Sequence, residues 1–78
     1  MRTRFHANHD EPLMVHFEII GGQCSIPPGD WIDVEFAESD PPSSVHLRGG
    51  ALILTQEGFG FMRVWDSTGR EIDPGGEW

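Results

Sequence analysis

The chain has 78 residues, a single cysteine, and a formal charge of −8 from 13 acids against five arginines and no lysine. That length admits one domain with a thin core, and a lone cysteine excludes an internal disulfide, which leaves a metal or self-association to supplement the core. The acidity disfavours nucleic-acid binding, whose affinity comes largely from cations on phosphates, and no run approaches the apolar length that crosses a bilayer.

Residues 1–12 read as a flexible polar arm, and residues 1–6 lack the apolar centre of a secretory signal, so a cytoplasmic protein is expected. Leu13 to Ile20 then alternates, with Leu13, Val15, Phe17 and Ile19 on one side, which is the period of a strand. Gly21-Gly22 breaks it, and Ser25-Ile26-Pro27-Pro28-Gly29-Asp30 reads as a turn. Trp31 to Phe36 alternates again, with Ile32, Val34 and Phe36 inward and Trp31, Asp33 and Glu35 on a wet face. After a polar loop at 38–43, Ser44 to Arg48 is a short strand expected to turn Val45 and Leu47 inward. Gly49-Gly50 permits a turn, and Ala51 to Thr55 is apolar on both faces, as in a strand covered on both sides. Phe59 to Trp65 places Phe59, Phe61, Arg63 and Trp65 on one face. Asp66-Ser67-Thr68-Gly69 is a hairpin turn into a last strand at 70–72, followed by a tail at 73–78.

Ten glycines and six prolines punctuate the chain throughout, and helical periodicity is absent. The fold class is therefore all-β: a small antiparallel β-sandwich or barrel-like sheet pair of five to six short strands spanning residues 13–72.

Charge is unevenly spread. Between Phe5 and Leu47 there is no Arg, while Asp10, Glu11, Glu18, Asp30, Asp33, Glu35, Glu38 and Asp40 all fall there. Such a field suits a basic protein partner, and Asp30, Asp33, Glu38 and Asp40 are candidate contacts for one. Aromatics with an arginine are enriched at protein interfaces, which makes Phe59, Phe61, Arg63 and Trp65, with the doubly apolar Ala51 and Ile53, candidates for a homo-oligomer interface. Chemistry finds less support. His6, His9 and His16 match no metal-ligand spacing, so no metal or other cofactor is expected. Asp33 and Glu35 share a face at roughly 7 Å, a carboxylate spacing also found in inverting hydrolases, but acids on the wet face of a strand require no catalytic explanation. Cys24 has no sequence-level partner base. A non-catalytic binding protein is the expectation, with a small acidic inhibitor of a basic target as the second reading.

The run Ser44-Val45-His46-Leu47-Arg48-Gly49-Gly50-Ala51-Leu52-Ile53-Leu54-Thr55 resembles the trp RNA-binding attenuation protein family, which carries a serine, a strand ending in Arg-Gly, and Ala-Leu-Ile-x-Thr. Gly29-Asp30-Trp31-Ile32-Asp33-Val34-Glu35-Phe36 is similar to that family's Gly-acid-apolar strand. The resemblance covers about residues 29–58 and implies small β-sandwiches whose sheets join across subunits in a ring, with a small ligand between neighbours. On that basis Trp31, Glu35, Ser44, His46 and Arg48 are the candidate ligand-binding residues. Arg48 matches the family's RNA-contacting arginine. However, His46 and Ser25 stand where its lysines fall, Glu35 replaces a glutamine, Ala37 replaces a threonine, and the ligand-gating segment has no counterpart. RNA binding is therefore not expected to carry over with the scaffold.

Overall fold

A computed structural model describes residues 2–18, 21–37, 43–56 and 62–73. They form eight strands: β1 (Arg2–His6), β2 (Leu13–Glu18), β3 (Gln23–Ile26), β4 (Trp31–Glu35), β5 (Ser44–Arg48), β6 (Ala51–Thr55), β7 (Arg63–Asp66) and β8 (Glu71–Ile72). Two four-stranded sheets result, one ordered β1-β4-β7-β8 (sheet A) and the other β3-β2-β6-β5 (sheet B). The all-β expectation holds, and the paired sheets have the arrangement of a small sandwich. No helix among the described residues is long and apolar enough to cross a membrane.

Period two makes the core. Val15 and Phe17 of β2, Cys24 and Ile26 of β3, Ile32 and Val34 of β4, Leu52 and Leu54 of β6, and Val64 of β7 all turn inward and are buried. Phe36 and Met62 join them from beyond the strand ends. Fully burying a side chain of this kind stabilises by about 1.5–3 kcal/mol, so these alternating positions are what hold two thin sheets together.

Two turns show how the sequence fixes register. Gly49 and Gly50 both have positive φ, 58° and 82°, and join Arg48 to Ala51 in a two-residue hairpin. That geometry matches the right-handed twist of the strands and is open to glycine at little steric cost. At the β3–β4 connection, Asp30 N donates to Pro27 O at 3.0 Å, with Pro28 and Gly29 at the corners and Gly29 at φ 77°. Proline followed by glycine is the residue pair such a turn requires.

Several expectations are corrected. Residues 2–6 are not an arm, because β1 pairs antiparallel with β4 from Arg2↔Glu35 to His6↔Trp31. Beyond it, Ala7 N donates to Asp30 O and Gly29 N to Asn8 O, fastening the following segment to the proline turn. A strand also forms at Gln23–Ile26, where glycine and proline punctuation suggested only loop and turn. Among the described residues the strands number eight rather than five or six, and β2 pairs with β6 in parallel (Val15↔Leu52 to Glu18↔Thr55) within otherwise antiparallel sheets. Finally, Val45 and Leu47 share a face with Leu54 and Leu52 yet stay 46% and 72% exposed, so the apolar layer buried on β6 continues uncovered onto edge strand β5.

Candidate functional site

The outer face of sheet A carries the densest arrangement of polar and aromatic side chains. Strand pairing stacks them in rows: Arg2, Glu35 and Arg63 in one, Arg4, Asp33, Trp65 and Glu71 in the next, and His6 beside Trp31 in the third. The alternation that sends Ile32, Val34 and Val64 inward sends these residues outward.

The rows interlock. Arg4 forks onto Asp33, with Nε to Oδ1 at 2.7 Å and Nη2 to Oδ2 at 3.1 Å. Arg63 forks onto Glu71, Nη2 to Oε1 at 2.7 Å and Nε to Oε2 at 3.1 Å. Bidentate pairing fixes both the direction and the plane of each guanidinium. It also holds the Asp33 and Glu71 carboxyls below their ordinary titration range, chiefly through hydrogen bonds from Arg4 and Arg63. The guanidinium carbon of Arg2 lies 3.9 Å from the Trp65 ring centre and that of Arg63 lies 5.0 Å from it. Arg4 stands 4.9 Å over Trp31, whose ring also tilts against His6 at 5.7 Å between centroids. Cations over indole faces are attracted by the ring quadrupole. Three arginines thus meet three acids, Asp33, Glu35 and Glu71, across two tryptophans, and on a chain of charge −8 this face is locally neutral.

A second feature lies beside it. Ile26, Ile32 and Ile72 floor an open depression of about 490 Å³ between β3 and the β7–β8 hairpin, with Trp31 at its wall and Asp30, Asp66 and Arg70 among its polar lining. Asp66 is committed to the hairpin: its Oδ1 accepts from Thr68 N, Thr68 Oγ1 and Arg70 N, bonds that also keep its carboxyl easily ionised. Asp30 Oδ1 accepts from Trp31 N at 2.9 Å. Cys24, in the same wall, is buried, and desolvation pushes its thiol up to about 12, which leaves it without nucleophilic thiolate near neutrality.

The sequence-derived sets are divided by the fold. Trp31 and Glu35 project from the outer face of sheet A. Ser44, His46 and Arg48 belong to β5 in sheet B, on the side of that sheet away from Leu52 and Leu54. The five therefore line no common cavity within one chain, and a ligand touching all of them would have to lie between two. Ile53 is also corrected as a free interface residue, being 3% exposed within its own chain, in register between His16 and His46. Ala51, in the same strand, is half-buried. Asp33 is no free acid for a basic target, since Arg4 occupies it. Trp65 and Arg63 stand outward, half-buried and exposed respectively, while Met62 and Val64 fill the core behind them. Glu38, Asp40, Phe59 and Phe61 lie outside the described residues. Among those described, no three His, Cys, Asp or Glu side chains group to hold a metal: His6 packs on Trp31 in sheet A, and His16 lies in sheet B.

Sequence reading missed Arg2 and Arg4 as members of a site and weighed His6 only as a metal ligand. Their alternation with Thr3 and Phe5, which are half-buried, was the available signal. Compared with known proteins, the chain matches no family model, no curated protein and no solved structure.

Proposed function

We propose that this protein is a non-catalytic binding protein, acting as a homo-oligomer, that recognises a partner protein through the outer face of sheet A. The observation that carries the reading is the tryptophan–arginine lattice of Arg2, Arg4, Trp31, Arg63 and Trp65. Tryptophan and arginine dominate the energetics of protein interfaces, and side chains already held in one geometry lose less entropy on docking. Two bidentate ion pairs supply that order here.

The same geometry argues against a nucleic-acid ligand. The arginines on the indole rings occupy the surfaces on which bases would stack, and three carboxylates balance the three cations that would meet phosphates. The face also fits a purely basic target poorly, because the acids of β4 lie among arginines from β1 and β7. The inhibitor reading therefore ranks second. A regulator built on a scaffold like that of the trp RNA-binding attenuation proteins is compatible with the face, provided that the recognised partner is not RNA.

The test is a footprint. Wild-type protein immobilised through its C-terminus is loaded with whatever cellular protein it retains, and amide exchange is compared with and without that partner. Protection should concentrate on residues 2–6, 31–35 and 63–66, and Trp65→Ala should lower retention at least tenfold while leaving the circular dichroism spectrum unchanged. Protection confined to sheet B, with full retention by Trp65→Ala, would overturn the assignment.

A further inference from the structure

We infer that β5 is the edge through which two copies of this chain pair, antiparallel and about a two-fold axis at His46. This deepens the oligomeric part of the function proposed above and rests on it, but it is independent of the sheet A face.

The observations begin with exposure. Every residue of β5 is exposed, and the strand closes one end of the order β3-β2-β6-β5, so one side of its backbone pairs with β6 and the other faces no strand among the described residues. An edge presents backbone donors and acceptors ready for another strand, and folded proteins usually blunt such edges with charge, proline or cover. Here Val45 and Leu47 extend the apolar layer of Leu54 and Leu52 outward, at 46% and 72% exposure. Nothing in Ser44–Arg48 opposes pairing except one arginine at its end.

The occupant follows from the sequence of the strand. Ser44-Val45-His46-Leu47-Arg48 is apolar symmetrically about its centre, so antiparallel pairing on His46 sets each Val45 against Leu47 of the second copy. Arg48 then faces Ser44 of the second copy rather than another cation. The four apolar side chains would form one continuous cluster over the joined sheet, a self-complementary contact of the kind two-fold symmetry requires.

Charge selects this edge over the others. Residues 43–56 contain no acid, in a chain whose formal charge is −8. Pairing β1 with its own copy about its centre would set Arg4 against Arg4, a destabilising like-charge contact. Strand β8 offers two residues, one of them acidic, and β3 has already turned Cys24 and Ile26 into its own core. Strand β5 is thus the edge in the two sheets at which a second acidic chain meets apolar surface without facing like charge.

The experiment combines mass with register. Sedimentation velocity on the full chain should show a concentration-dependent dimer or a multiple of it, and Leu47→Lys should shift it to monomer. The Leu47 side chain is largely exposed, so an unchanged thermal melt at dilution is expected to accompany that loss. In a Cys24→Ser background, His46→Cys should cross-link between chains under mild oxidation at least tenfold faster than Ser44→Cys, because the proposed axis brings position 46 against itself. Oligomers that survive Leu47→Lys, or equal cross-linking at the two positions, would overturn the β5 contact while leaving an oligomer formed elsewhere. A wild-type monomer at all concentrations would overturn both the contact and the oligomeric reading.

Discussion

The outward face of sheet A and strand β5 of sheet B are both solvent-facing, yet they are built on opposite principles. On sheet A the charges interleave: Arg4 pairs with Asp33, Arg63 with Glu71, Arg2 lies over Trp65, and Glu35 stands in register between Arg2 and Arg63. On β5 the polar residues form no such network among the described residues, and Val45 and Leu47 are apolar side chains left exposed. A matched polar lattice is stable in water and can persist on its own surface. An uncovered continuation of a core layer gains from leaving water, and its simplest resolution is another strand. The comparison separates the two proposed roles, recognition on one sheet and self-association on the edge of the other.

The sharpest way to break this division is to cut the same apolar layer on either side of the β5–β6 boundary. Leu54→Ala empties a fully buried position and should cost about 2–5 kcal/mol, read by urea unfolding. Leu47→Ala, in the same layer one strand further out, should stay within about 0.5 kcal/mol at concentrations where the chain is monomeric. Comparable losses at the two positions would mean that β5 is covered within its own chain, and the contrast would collapse.

A smaller effect should come from acid. The Asp33 and Glu71 carboxyls are held below their ordinary range, so the folded form binds these protons less readily than the unfolded chain does. Their contribution is then complete above the ordinary carboxylate range and disappears as pH falls through the lowered values. Exposure and salt screening keep this contribution modest. Asp33→Asn should therefore lower the melting temperature slightly at pH 7, by an amount that shrinks as pH falls below the ordinary carboxylate range. A loss that stays the same size throughout acid titration would show that Asp33 acts through packing rather than through its pair with Arg4.

How far the sequence revealed these two regions differs for physical reasons. Alternation put Val15 with Phe17 on one face and Ile32 with Val34 inward, and all four are core residues, because period two is a local property of a strand. The Asp66–Gly69 hairpin was legible for the same reason: turn chemistry is contained in a few neighbours. Pairing is not local. The stretch from Phe5 to Leu47 reads as an unrelieved acidic field, but β4 lies between β1 and β7, which bring Arg2, Arg4 and Arg63 beside its acids. Charge that is segregated along the chain is mixed on the surface, and no window of sequence contains that fact. Strand β3 was hidden because four residues with one cysteine and one isoleucine, flanked by Gly21-Gly22 and Pro27-Pro28, give too short a pattern to outweigh their punctuation. Val45 and Leu47 were misplaced for a related reason. Alternation states which face a residue shares, and the reach of the opposite sheet decides whether that face is covered.

The most direct test of the central claim, that the sheet A face is an ordered recognition surface rather than solvated charge, is nuclear magnetic resonance of the arginine side chains. The Nε–H groups of Arg4 and Arg63 donate to carboxylates, whereas Arg48 and Arg70 make no side-chain ion pair among the described residues and serve as internal references. The Arg4 and Arg63 Nε–H signals should be dispersed, slow to exchange with water and motionally restricted, with the Arg2 side-chain protons shifted upfield by the Trp65 ring. Five averaged, rapidly exchanging arginines would contradict the account and leave sheet A with a solvated surface in place of a site.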